Sequence, residues 1–263
     1  MRRSYEASFL TAVAAMAYRQ VRAFLRMRPR VVMSFMRPLM WLFFFGLGWA
    51  MSLRGQAVRT ALGGLSFTDF IVPGVSMMAV FFTSFFAGTS VIWDREFGFL
   101  KETLVAPAPR SAVILGRVLG DSAVAVLQGL ITLAIAYPLM DEPNLLGLPL
   151  VITAMLLTAL IHASLGSAIG SAVNNIETFQ LIQMTMAMPM MFMGGTVVPL
   201  YNAPAWMRMA SMAVPLTYGV DAARSALTGV GLVPLWLDML VLSLLTPAFV
   251  LMTAKAFENA TAS

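Results

Sequence analysis

Three ionisable side chains, His162, Asp121 and Asp238, fall inside long apolar runs. A group of this kind is expensive in hydrocarbon, so each is a candidate for proton relay, ion pairing or substrate contact. His162 is the only histidine and sits in "LIHASLGSAIG" with no acid near it on the same helix. A relay lacks its second member there, and a hydrogen-bonded packing histidine is the plainer reading. Asp121 follows Arg117 by four residues, so the two can bridge on one helix face. Asp238 lies about one helical turn into the last apolar run, where Arg224 or Arg208 could meet it. The chain has no cysteine, which excludes disulfides and thiolate metal sites, and one histidine cannot build a metal cluster. Neither lysine, Lys101 or Lys255, follows a glycine, so the Gly-Lys-Ser/Thr cradle for nucleotide phosphates is missing. No Ser/His, paired-Asp or metal constellation stands within the apolar runs, so nothing here reads as catalytic.

A different chemistry is written in residues 94–117, "DREFGFLKETLVAPAPRSAVILGR". Charged residues make up only 11% of the chain, yet Asp94, Arg95, Glu96, Lys101 and Glu102 crowd into this segment. Phe97, Leu100, Leu104 and Val105 follow the spacing of one helix face before "APAP" ends the pattern. A short amphipathic helix tied to two apolar runs has two natural partners, a lipid surface or a groove on another protein. Asp94, Glu96 and Glu102 disfavour an anionic lipid surface, which points to a protein.

The elements that position these residues follow from composition. The chain is 263 residues long, 59% hydrophobic and has a mean hydropathy of +0.83, far from the roughly 25% charged composition of soluble domains. A bilayer core needs about 20 apolar residues per helix, and six segments qualify: 31–51, 70–93, 118–140, 148–172, 179–198 and 232–254. Residues 5–28 alternate apolar groups with arginines, as an interfacial amphipathic helix does. They lack the short apolar core and small-residue cleavage site of a removable leader. Seven basic residues before the first span, four in 94–117 and Lys255 would lie inside, against Arg54, Arg59, Arg208 and Arg224 outside. That bias places both termini in the cytoplasm. It also explains the net charge of +5 without nucleic acid, because basic residues beside a span set orientation and touch lipid.

Two other features could shape a path or an interface. The run "MTMAMPMMFMGG" lines the fifth span with flexible methionines, and Met184, Met188, Met191 and Met193 are candidate contacts for an apolar substrate. Plain packing is the competing explanation. Gly116-x-x-x-Gly120 and Gly166-x-x-x-Gly170 make small-residue faces that let helices approach, within one bundle or between two copies. Residues 199–231 are too polar and proline-broken for a span, yet too apolar for a solvated loop. They read as one or two short helices dipping into the outer leaflet, with Tyr201, Trp206 and Tyr218 at headgroup level.

The run "DREFGFLKETLVAPAPRSAVILGRVLGDSAVAVLQG" and the later run "NAPAWMRMASMAVPLTYGVDAAR" resemble the type-2 permease family of ABC exporters. The wording of the first is most similar to the drug-resistance and nodulation-factor branch. The chain departs from many members at Ala213-Val214, where they carry an asparagine before the proline. The resemblance implies an ATPase-coupling surface at Arg95, Glu96, Phe97, Leu100, Lys101, Glu102 and Leu104. It implies re-entrant outer helices carrying Pro204, Trp206, Pro215, Leu216, Tyr218, Asp221 and Arg224. It further implies two ATPase subunits that bring ATP and magnesium, and a second permease, most simply an identical one.

The expected fold is therefore an all-α integral membrane protein of the cytoplasmic membrane. An interfacial segment, 1–30, would precede a six-span domain, 31–254, and a cytoplasmic tail, 255–263. The expected function is ATP-driven export of an amphiphilic drug, lipid or glycolipid, with no cofactor held by this chain. The alternatives are a proton-coupled secondary transporter and an intramembrane enzyme.

Overall fold

Each apolar run becomes a helix because backbone polar groups in hydrocarbon must be satisfied within their own segment. The structure, a computed structural model, describes residues 9–50, 55–97, 109–141, 143–173 and 175–262. No strand occurs among the described residues. The first helix, α1 (Phe9–Arg26), turns Ala12, Gln20 and Phe24 inward and leaves Leu10, Tyr18 and Leu25 outside. Met27 separates it from α2 (Arg28–Trp41), which has a proline in its first turn. A π-helical stretch, Leu42–Leu47, and one more turn, Gly48–Ala50, continue α2. A short surface helix, α3 (Gln56–Ala61), follows.

The centre of the bundle is α4 (Phe67–Phe86). Ser66 caps it by accepting the Asp69 backbone N–H at 3.2 Å, and the Ser66 hydroxyl donates to the Asp69 carboxylate at 2.7 Å. A bend at Ala87-Gly88 leads into α5 (Thr89–Glu96). Then come α6 (Arg110–Ala136), α7 (Leu148–Ala172) and α8 (Ile176–Met193). Two short helices, α9 (Ala205–Met212) and α10 (Pro215–Thr228), precede the final α11 (Leu235–Ala262).

Among the described residues, four helical segments are long and apolar enough to cross a membrane: Phe67–Glu96, Arg110–Leu139, Leu145–Ala172 and Leu235–Asn259. Most of the apolar stretch of the first is buried within the chain and little of that of the last, so α4 is the core post and α11 a peripheral one. The other two expected spans are helical but fall short of that measure. Val31–Phe44 is a shorter apolar helix, and α8 carries Glu177, Gln180 and Gln183 in its first half. The expected tail is no separate element, because α11 runs through 255–262 as the same helix. Likewise Asp94–Glu96 do not begin a new helix after the second span; they form its last turn.

Glycine decides how closely these helices meet. A Cβ on Gly88 would stand 2.1 Å from the Gly166 carbonyl oxygen, and one on Gly166 would stand 2.2 Å from that of Phe85. The Gly166/Gly170 face is thus consumed inside the bundle, against the α4–α5 bend. Gly116 and Gly120 receive α1 instead: their Cβ positions lie 2.5 Å from the Val13 oxygen and 2.7 Å from that of Ala17. Neither face is left over for a second copy.

Candidate functional site

At the end of α5 the charged residues divide between inward and outward tasks. Asp94 accepts from Arg19 of α1 at 3.1 Å and from Arg117 of α6. Arg117 is 3% exposed and also donates to the Ser90 hydroxyl at 3.1 Å. One carboxylate therefore ties α1, α5 and α6 together. Arg117, one turn before Asp121 on the same helix, also reaches across to Asp94, since a buried cation needs a carboxylate in contact. Asp121 remains its electrostatic neighbour.

Arg95 turns inward as well. Its guanidinium donates to the carbonyls of Ser171 at 2.8 Å and Val173 at 3.1 Å, at the C-terminal end of α7. The last carbonyls of a helix lack intrahelical partners and carry the negative end of its dipole, so a cation caps them well. Glu96 and Phe97 face out, and Phe97 is 82% exposed. Leu100, Lys101, Glu102 and Leu104 lie outside the described residues.

The outer segment holds α9 and α10 as expected, but its motif residues work on their own fold. Pro204 precedes α9 and Pro215 opens α10, where a proline costs no hydrogen bond. Gly229 ends α10 with φ of 73°. Both Asp221 oxygens accept the Leu232 N–H at 2.8 Å, and one accepts that of Val233 at 3.0 Å. Arg224 is 4% exposed, donates to the Gly195 carbonyl at 2.8 Å and the Phe70 carbonyl at 3.3 Å, and stacks 4.0 Å from the Phe70 ring centre. The Tyr218 hydroxyl donates to the Met212 carbonyl at 2.7 Å, joining α10 to α9. Leu216 is fully buried, while Trp206 is exposed on α9. This clasp holds α10 against α4 and the turn after α8.

The buried single residues resolve differently. His162 Nδ1 meets the Thr158 carbonyl at 2.7 Å, and its ring stands edge-on to Phe81 with centres 4.9 Å apart. That is the packing role. Asp238 is completely buried beside Asp221, and among the described residues no ion pair joins it to Arg224 or Arg208. The four methionines do not share a surface: Met184 and Met188 are exposed, Met193 is half-buried, and Met191 is in the core. Sequence reasoning missed Gln183, whose amide donates to the Phe85 carbonyl at 2.6 Å from within α8. It also missed Asp94 as a hub. The available signal was Arg117, a cation set into an apolar helix that had to find an acid somewhere.

No group of three or more potential metal ligands occurs among the described residues. The arrangement is thus one end braced around Asp94, the other end clasped around Arg224, and an exposed aromatic, Phe97, beyond the last turn of α5.

Known proteins resemble this chain in sequence. The inner membrane transport permease YadH of Escherichia coli strain K12 is 27% identical over 202 residues, covering 75% of this chain and 78% of that protein. The daunorubicin resistance ABC transporter permease protein DrrB1 of Streptomyces coeruleorubidus is 24% identical over 263 residues, 98% of this chain and 89% of that one. The family model for ABC-2 type transporters matches residues 11–228, which takes in the α5 end, the glycine faces and the outer clasp. With four apolar helices fit to cross a membrane among its described residues, the chain belongs to the ABC-2 type transporter family and is a transport permease.

Proposed function

We propose that this permease is the membrane subunit of an ATP-driven exporter that moves an amphiphilic substrate outward across the cytoplasmic membrane. Membership of the ABC-2 type transporter family, together with the lack of a phosphate-binding Gly-Lys motif in these residues, supports a nucleotide site on another subunit. That observation carries the reading. Two ATPase subunits would bind ATP and magnesium, and two permeases would pair, with 31–51 and 179–198 completing six spans per chain. Both termini would face the cytoplasm, as the basic residues favour.

The coupling surface would start at Phe97. Arg95 and Asp94, on either side of the same turn, are locked to α7, α1 and α6, so force applied at Phe97 and the residues after it would reach three helices at once. ATP-driven closure of the ATPases would then shift the inner ends of the spans together. The substrate class rests on the exposed methionine face of α8 and on the drug-resistance permease among the relatives. A proton-coupled mechanism finds less support, since His162 is bonded to its own helix backbone and sealed by Phe81.

The test is to purify the tagged permease gently from its native membrane beside Phe97→Asp/Leu100→Asp. An ATPase subunit accompanying the wild type and lost from the double variant is expected. Absence of any ATPase from a well-expressed wild type would reject the reading.

A further inference from the structure

A cavity of about 270 Å³ lies where α1 and α2 meet α4 and α6. One water takes about 30 Å³, so the space is far larger than a bridging water fills. Ala23 of α1 and Met33 of α2 stand in its wall and are both exposed, so the cavity opens outward between these two helices. Val32 and Met36 are exposed beside Met33, which makes the α2 side of the mouth apolar and open to a lipid-soluble molecule.

The hydrogen-bonding groups of the wall set the class of occupant. Ser34, Thr83 and Ser90 are spread around it, and each hydroxyl already donates. Ser34 gives its proton to the Val31 carbonyl at 2.7 Å, Thr83 to the Gln128 side chain and Ser90 to the Ala87 carbonyl at 2.7 Å. What these hydroxyls still offer is oxygen lone pairs, which only a donor can meet. Asp121 is a further acceptor, but Arg19 and Arg117 already balance its charge. An ammonium would thus be buried without an anion of its own, and a phosphate would face a wall of acceptors. Hydroxyl groups remain as the donors that carry no charge. Gln20 supplies the converse group. It is 8% exposed, and its buried amide nitrogen lacks a hydrogen-bond partner within the chain. A turn of that amide about its last side-chain bond brings the N–H to a hydroxyl oxygen. Phe82 and Phe86 alternate with the polar groups, so the carbons between hydroxyls have apolar surface to lie on.

We infer that this cavity binds an uncharged hydroxylated headgroup: its hydroxyls donate to the Thr83 and Ser34 oxygens, one of them accepts from Gln20, its carbons lie along Phe82 and Phe86, and any acyl tail leaves past Met33. The same chemistry is offered by a neutral glycerol lipid and by a free polyol.

The purified permease in nanodiscs of phosphatidylcholine, a lipid without free hydroxyls, would be irradiated with a monoacylglycerol bearing a diazirine close to its ester. Adducts mapped by mass spectrometry are expected within 20–24 and 82–86. Monooleoylglycerol should displace the probe about tenfold better than methyl oleate, which has the same chain and no hydroxyl, and about tenfold better than charged oleylamine. Displacement by glycerol at the same concentration would support the site and assign it to free polyols. Gln20→Leu should cut labelling about tenfold, one lost hydrogen bond of about 1.4 kcal/mol. Ala23→Trp should block the mouth without touching a wall hydroxyl, so it serves if Gln20→Leu does not fold. Equal displacement by methyl oleate or oleylamine, or undiminished labelling of Ala23→Trp or of a folded Gln20→Leu, overturns the proposal. Binding is read without an ATPase, so it stands or falls apart from the exporter reading.

Discussion

Asp94 and Arg224 show how single residues hold an oily chain in one arrangement. Removing Asp94 leaves Arg117 buried without its carboxylate, and breaking a buried pair in this way costs about 3–5 kcal/mol. Asp94→Asn should therefore lower the thermal midpoint of the purified protein sharply. Arg117→Met/Asp94→Leu, which removes both charges, should recover much of that loss. Arg224 combines a forked donor set with a stacked ring, and lysine can supply neither. Arg224→Lys is expected to destabilise by about 1–3 kcal/mol, the cost of leaving carbonyls unmet, with Phe70→Leu producing a smaller loss through the same contact. A melt of Arg224→Lys indistinguishable from wild type would show that the clasp is not held by the guanidinium.

At the scale of elements, the docking of α1 is the arrangement most open to test. Its apolar outer face alone would place it on lipid, yet Gly116 and Gly120 let its backbone settle directly on α6. Gly116→Val puts two methyls into the Val13 carbonyl, an overpacking that costs about 1–3 kcal/mol. The expected result is release of α1, seen as faster proteolysis near Arg22 and Arg26 with the rest of the bundle intact. Gly166→Val acts elsewhere, wedging α7 from α4, and should lower the melting temperature of the whole protein while leaving α1 protected.

For the whole molecule, the number of crossings decides which face meets a partner. Six spans place positions 97 and 255 on one side and 209 on the other. Four spans, without 31–51 and 179–198, place 97 and 209 together and 255 opposite. Single cysteines at Phe97, Met209 and Lys255, probed on intact cells with a membrane-impermeant maleimide, separate these arrangements. Labelling of Met209→Cys alone is expected. Labelling of both Met209→Cys and Phe97→Cys would remove the coupling surface from the cytoplasm and the exporter reading with it.

The sequence by itself determined the all-helical membrane class, the positions of α4, α6, α7 and α11, and the two short outer helices. Those follow from local physics: runs of about 20 apolar residues, prolines that open or stop helices, and arginines gathered on one side. It also shows that no lysine follows a glycine, so the contiguous Gly-Lys-Ser/Thr run is not among these residues. Only the tertiary structure decided what the polar residues meet. Arg117 found Asp94 besides its neighbour Asp121, Arg95 found the end of α7, and both glycine faces were spent inside the chain. Each of these is a contact between residues far apart in sequence, and side-chain spacing on one helix carries no record of which neighbour packs across from it. The methionines of α8 make the same point, because a run of one residue type divides between core and surface once the helix has a bundle to lean on.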